Sequence, residues 1–210
     1  MKQPGRFITV EGIEGAGKTT CMATITEQLS QQGILVEQTR EPGGTPLGEA
    51  LRDLLLAHQE TDMAVETELL MLFAARSEHV QQRIRPALAA GQWVLSDRFT
   101  DASYAYQGAG RGIDVTRIET LADWVQQHTK PDLTLLLDIP VTQGLQRAKQ
   151  RSAPDRFEAE TVAFFERVRA GYLQRAAQEP ERIRVIDASQ HLHQVQAAIR
   201  QAIAGYLDAN

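Results

Sequence analysis

Short apolar runs and longer stretches of helical period take turns along the chain. The runs Phe7 to Val10, Leu35 to Thr39, Trp93 to Ser96, Leu133 to Leu137 and Ile183 to Ile186 are rich in β-branched and aliphatic residues, and each stops at a polar residue. Apolar runs of this length read as strands buried on both faces. Between and after them, apolar residues recur at three- and four-residue spacing over Thr19 to Gln32, Leu47 to Ala57, Val65 to Ala90, Thr116 to Gln127, Val141 to Arg151, Glu158 to Gln178 and Leu192 to Leu207. These segments predict helices, with Gly33 and Gly91 at two of the stops. Strands alternating with helical segments imply an α/β fold with a parallel sheet wrapped by crossover helices.

No repeat, low-complexity tract or linker divides the chain, and 210 residues with 42% hydrophobic content are expected to form one domain. Two segments break the regular pattern. One is Arg40-Glu41-Pro42-Gly43-Gly44-Thr45-Pro46, whose glycines and prolines bar regular structure. The other, Gln150 to Asp155, interrupts two helices and is flanked by Arg147, Lys149, Arg151 and Arg156.

A net charge of -5 argues against broad binding to nucleic acid, while a local basic pocket for a small anion remains open. No apolar stretch approaches the ~18 residues of a membrane span, and none follows the N-terminal basic residues as a signal peptide would. A soluble, cytoplasmic protein is expected. The single cysteine, Cys21, reads as a packed helix residue. His191 and His193 lie close together without a second ligand pair, so no metal role is assigned to them.

The chemistry is concentrated in Gly12-Ile13-Glu14-Gly15-Ala16-Gly17-Lys18-Thr19, which fits G-x-x-x-x-G-K-T/S and sits between the first strand and a helix. Glycines let such a loop turn its backbone N–H groups inward, and the positive end of the following helix adds to their field. Polyphosphate is the matching guest. Lys18 would bridge the β- and γ-phosphates, and the Thr19 hydroxyl would complete the coordination of Mg²⁺.

Kinases, ATPases and GTPase switches share this loop. Thr129-Lys130-Pro131-Asp132 resembles a guanine-reading loop but precedes its strand, and no aspartate is followed three residues later by glycine. A motor or helicase would carry further nucleic-acid contacts. Arginines at separate positions (Arg40, Arg52, Arg76, Arg98, Arg111, Arg147, Arg151 and Arg156) suit two anionic substrates instead. Arg98 follows Asp97 at the carboxyl end of a strand, the edge where open α/β sheets bind ligands.

Five ordered segments carry a resemblance over nearly the whole length: Glu11 to Thr20, Arg40-Glu41-Pro42-Gly43-Gly44-Thr45, Phe73-Ala74-Ala75-Arg76, Asp97-Arg98-Phe99, and Ala105-Tyr106-Gln107-Gly108 running on to Gly110-Arg111-Gly112. The chain resembles bacterial thymidylate kinase of the type whose lid supplies an arginine. That resemblance implies a P-loop NTPase-type three-layer α/β/α domain, a five-stranded parallel sheet surrounded by helices, with a mobile lid at about residues 147–156. It implies transfer of the γ-phosphoryl group of ATP to dTMP with Mg²⁺, and a homodimer to which the helix from Val65 to Ala90 could contribute. A kinase for another nucleoside monophosphate, or a nucleotide-dependent switch, are the alternatives.

The same resemblance implies residue roles. Residues Gly12 to Thr20, with Arg147 and Arg151, would hold ATP, and adenine would rest near Asp187 to Gln190. The acceptor phosphate would face Arg98 and Arg52, with Pro42 in the same pocket, and Asp97 would support the metal's water shell. Thymine would stack on Phe73 and be read by Arg76, although the family's stacking residue usually stands where this chain has Leu72. Because i−3 and i−4 share a helix face, Phe73 could still cover the ring. Ser103 and Gln107 would contact the pyrimidine edge, and Tyr106 the deoxyribose. Glu14 would lie toward the sugar 3′-hydroxyl. Gly15 stands where some relatives carry an arginine, so the catalytic cation is expected from the lid, with Arg151 the first choice.

Overall fold

The computed structural model describes residues 5–57, 62–150 and 155–209. Its five strands are β1 (Phe7–Glu11), β2 (Val36–Arg40), β3 (Trp93–Asp97), β4 (Leu133–Asp138) and β5 (Ile183–Asp187), paired in parallel in the order β2-β3-β1-β4-β5. Each predicted run is found within a residue or so of its expected limits. The chain crosses from β1 to β2 through α1 (Lys18–Gln31), and β3 then inserts between them. Val10 therefore pairs with Asp97, so the segments that leave β1 and β3 emerge side by side at the carboxyl edge.

Side-chain alternation sorts the core into two faces. Ile8, Val10 and Leu95 pack with Ile25 and Leu29 of α1 and with Ile199 and Ile203 of α9 (Leu192–Asp208). Phe7, Val94 and Phe99 meet Val80, Ile84 and Ala87 on the other face.

The single long helix expected over Val65 to Ala90 is α3 (Val65–His79), a π-helical turn Val80–Ile84, and α4 (Arg85–Ala89). Pro86 has no N–H to donate into the preceding turn, which accounts for the widened geometry there. The helix expected from Glu158 begins at Val162 as α8 (Val162–Gln178), capped by the Thr161 hydroxyl, which accepts from Phe164 N–H at 3.2 Å. Residues ahead of it turn about Asp155, whose carboxylate accepts from the N–H groups of Phe157 and Glu158 at 2.9 Å each. The remaining helices are α2 (Pro46–Leu56), α6 (Val115–Gln126) and α7 (Val141–Lys149).

One element has no counterpart in the hydrophobic pattern: α5 (Thr100–Ser103), running on into a π-helical stretch Tyr104–Gly110. Its glycines and aromatics are weak helix formers, and packing decides instead. A Cβ on Gly110 would lie 2.7 Å from the Phe164 ring, and one on Gly171 would lie 2.7 Å from the Ala109 methyl. The two helices therefore cross almost backbone to backbone, which points the Ser103, Tyr106 and Gln107 side of the stretch into a cleft.

Candidate active site

The turn after β1 is built on glycine: Gly12, Gly15 and Gly17 have φ of 138°, 73° and 95°. Gly17 caps α1 without a side-chain hydrogen bond, so the first-turn N–H groups of that helix face a cleft of about 630 Å³. Lys18, Thr19, Asp97, Arg147 and Gln190 line it. Lys18 Nζ donates to Gly12 O and Ile13 O, both at 3.2 Å. Burial, with Arg98 nearby, pulls the Lys18 ammonium below its ordinary value, and Asp97, Glu14 and Glu11 oppose that.

A second, narrower cavity of about 70 Å³ opens beside it, walled by Pro42, Leu72, Arg76, Ser103, Tyr106 and Gln107. The two share Glu14, Arg52, Arg98 and Asp155. Arg98 has φ 70°, a conformation that costs a side-chain-bearing residue roughly 1 kcal/mol or more. Three hydrogen bonds pin it: Arg98 N–H to Val10 O at 2.9 Å, Ser96 Oγ to Arg98 O at 2.7 Å, and Phe99 N–H to Glu11 Oε1 at 2.7 Å. So held, Arg98 Nη2 donates to Glu14 Oε1 at 2.7 Å and to Tyr106 Oη at 2.9 Å. Tyr106 Oη in turn donates to both Glu14 oxygens, at 2.9 and 2.7 Å. Burial pushes the Glu14 carboxyl up, but Arg98, Lys18 and the Tyr106 hydrogen bond outweigh it and keep the group ionised.

Other expected residues divide between cleft and scaffold. Arg52 Nη1 donates to Pro42 O at 2.9 Å, and burial with neighbouring Arg40 and Arg98 pulls it below its ordinary value. Arg147 Nη1 reaches Ala188 O, at 3.1 Å, in the loop after β5. Arg151 lies outside the described residues. Phe73, expected over thymine, is not on the cavity wall: it is 2% exposed and packs with Leu69, Ile113 and Ile118, while Leu72 lines the cavity. Neighbouring helix residues point about 100° apart, and the α3–α6 core takes the larger ring. Three arginines expected among the anion contacts are engaged by protein groups. Arg40 pairs with Glu49 at 2.7 Å, Arg156 with Glu68 at 2.7 Å, and Arg111 with Glu68 and Glu160.

Several contributors had no assigned role in the sequence. Glu68 anchors Gln107, whose Nε2 donates to it at 2.8 Å and leaves Oε1 as the acceptor. Phe157 lines the base-side cavity, Glu11 accepts from the N–H of Phe99 next to Arg98, and Glu41 holds the Arg76 side chain. Glu11 and Glu41 stood inside recognised segments; Glu68 and Phe157 carry no local signal.

For a metal, the donor set is sparse. No cluster of three or more His, Cys, Asp and Glu side chains forms among the described residues. Thr19 and Asp97 do both face the P-loop cleft, and Asp97 Oδ1 is buried without a hydrogen-bond partner. That unmet acceptor fits a cation whose other ligands come from phosphate and water.

A family model described as "Thymidylate kinase" matches residues 10–199. The chain belongs to the thymidylate kinase family. It is 59% identical to a thymidylate kinase of Alkalilimnicola ehrlichii, over 95% of this chain and 93% of that one. A thymidylate kinase of Pseudomonas entomophila is 57% identical, with 97% of each chain covered. The crystal structure of thymidylate kinase from Ehrlichia chaffeensis superposes with a TM-score of 0.76 at 35% identity, over 98% of this chain and 99% of that one. In a thymidylate kinase two cavities meeting at Glu14 and Arg98 have a direct chemical meaning, since the phosphates of donor and acceptor must be brought together for one phosphoryl group to pass between them.

Proposed function

We propose that this thymidylate kinase transfers the γ-phosphoryl group of ATP to dTMP, giving dTDP and ADP, across the wall formed by Glu14, Arg52 and Arg98. The observation that carries the residue assignment is that wall: with Asp155, these three residues line both the glycine-rich cleft and the base-sized cavity. ATP takes the cleft, with its phosphates on the N–H groups of residues 12–20 and on Lys18. Its adenine end lies toward Arg147 and the Ala188 loop.

dTMP takes the narrow cavity. Arg98 and Arg52 bind its phosphate, Tyr106 flanks the deoxyribose, and Ser103, Gln107 and Arg76 meet the base, with Leu72 and Phe157 as apolar walls. Glu14, ionised beside Arg98, accepts from the 3′-hydroxyl. Phosphoryl transfer needs alignment and charge neutralisation more than it needs a strong base, and these groups supply both. Mg²⁺, held through Thr19 and the Asp97 carboxylate, would offset charge on the phosphates. Arg151 brings a further cation from the segment after α7, and closure of that segment excludes water.

Leu70 of α3 and Trp124 of α6 are 57% and 77% exposed, which suits a homodimer built on these helices. Among the described residues no helix is long and apolar enough to cross a membrane, and a cytoplasmic location accords with that. Purified protein, magnesium, dTMP and ATP radiolabelled at the γ-phosphate provide the test: label must appear in dTDP. Its absence there, with ATP bound, would remove the assignment.

A further inference from the structure

Arg76 is 2% exposed, and its guanidinium is fixed on three sides. Nε donates to Glu41 Oε2 at 2.7 Å, Nη2 donates to Phe99 O at 3.2 Å, and the plane lies over the Phe73 ring, 4.5 Å from its centroid. Nη1 alone has no partner. The residue lines the base-side cavity, so that edge is what Arg76 has left to offer a ligand.

What fixes Arg76 is itself fixed. Burial pushes the Glu41 carboxyl up, but Arg76 and a hydrogen bond from His79 bring it below its ordinary value. Glu41 Oε1 lies 2.9 Å from His79 Nδ1, and His79 Nε2 lies 2.6 Å from Thr39 Oγ1. An ionised carboxylate can only accept, so Nδ1 carries a proton and the ring orientation follows from Glu41. His79 is 0% exposed, and its ring is covered by the loop after β2: a Cβ on Gly44 would stand 2.6 Å from His79 Cδ2. The series Thr39, His79, Glu41, Arg76 thus runs without a break from β2 to the cavity, through groups with little freedom to turn.

We propose that Glu41 and His79 are positioning residues that aim Nη1 of Arg76 at the base, and so set the preference for a pyrimidine bearing a carbonyl at C4 over one bearing an amino group. The inference rests on the reading above that Arg76 faces the base. A guanidinium offers donors only, so a fixed one rewards a carbonyl and leaves an amino group facing it unpaired. A guanidinium free to swing would lose most of that discrimination while keeping its charge.

The experiment is calorimetric binding of dTMP and dCMP, with steady-state kinetics, on His79→Leu, His79→Asn and Arg76→Ala. His79→Leu is expected to weaken dTMP binding about tenfold and to narrow the dTMP-to-dCMP affinity ratio by a similar factor, with the Michaelis constant for ATP changed less than about twofold. His79→Asn, which restores a donor at the Nδ1 position, should recover most of both. Should Arg76→Ala alter the ratio while His79→Leu does not, the positioning role is refuted and the base reading stands. If Arg76→Ala leaves the ratio unchanged, the base reading fails and this inference with it. A merely structural His79 would show dTMP and ATP affinity falling together at an unchanged ratio, which also overturns the proposal. If His79→Leu does not fold, Thr39→Val removes the outermost link while preserving shape. It should shift the ratio in the same direction by a smaller factor, and no shift refutes the proposal.

Discussion

Arg98 and Glu14 stand 2.7 Å apart at the junction of the two cavities, so the cation proposed for the acceptor phosphate and the anion proposed for its sugar hydroxyl hold each other in place. Such a pair resists reorientation when substrate arrives, because each group already has its direction. The arrangement depends on a backbone conformation that arginine does not favour.

The first prediction separates these two facts. Arg98→Ala and Arg98→Gly both delete the guanidinium, and both should lower turnover by about 10³-fold while ATP still binds. At φ 70° glycine is unstrained and alanine is not. Arg98→Gly should therefore be the more stable of the two by about 1 kcal/mol in urea denaturation, reversing the usual order. Equal stabilities would show that the turn is unstrained.

Tyr106→Phe removes the hydroxyl that donates to both Glu14 oxygens. A buried carboxylate then loses a donor and keeps Arg98 and the charge of Lys18 beside it. Stability should drop by about 1–3 kcal/mol, with kcat/KM down by about tenfold. Unfolding curves and initial rates measure the two effects separately, and an unchanged midpoint would mean that water takes over the hydroxyl's place.

Glu11 gives a pH signature. Burial, and then the Asp101 charge, push its carboxyl up from 4.5 to about 8, against the hydrogen bonds from Tyr172 and Phe99 N–H and the charge of Arg98. The unfolded chain releases this proton near 4.5 and the native state near 8, so between them the native state binds more protons and stability falls as pH rises. Below 4.5 the penalty is absent. Glu11→Gln mimics the protonated acid, so its stability should exceed that of the parent by a few kcal/mol, on the order of 1.4 per unit of separation, above pH 8. The two should converge as pH falls toward 4.5. A variant less stable at every pH would show that the carboxylate form is the one the fold prefers.

The sheet was legible because buried parallel strands are short, apolar and bounded by polar residues, and β1 and β3 end at Glu11 and Asp97, one residue past their apolar runs. The P-loop was legible because two glycines, a lysine and a threonine must stand at fixed spacing. Leu72 and Phe73 were not separable, since one residue of rotation decides which faces the cavity and α6 sets that rotation. Glu41 with Arg76 and His79, or Glu68 with Arg111 and Arg156, join positions tens of residues apart. Nothing local marks such pairings; only the folded chain brings them together.

Asp97→Asn keeps the side-chain shape and removes the charge that its unmet Oδ1 would offer a cation. The magnesium concentration for half-maximal rate should rise by roughly tenfold, with dTMP affinity little changed, and chelation should abolish activity in both proteins. A magnesium titration checks this. Superimposable titrations would place the metal on other ligands.

A close approach between two glycines bears on the proposed role of Arg151. A Cβ on Gly15 would lie 1.9 Å from Gly144 O in α7, and one on Gly144 would lie 2.7 Å from Glu14 O. Gly15 also has φ 73°. An arginine in the P-loop would have to push α7 away. That is consistent with the proposal that Arg151 supplies the cation. Arg151→Ala should lower kcat by about 10²- to 10³-fold with dTMP binding retained. Adding Gly15→Arg to it should fail to restore turnover and should destabilise the fold by several kcal/mol through overpacking and backbone strain. Rates and unfolding midpoints of the single and double variants decide the matter: recovery of activity in the double variant would mean that α7 yields and that either position can supply the charge.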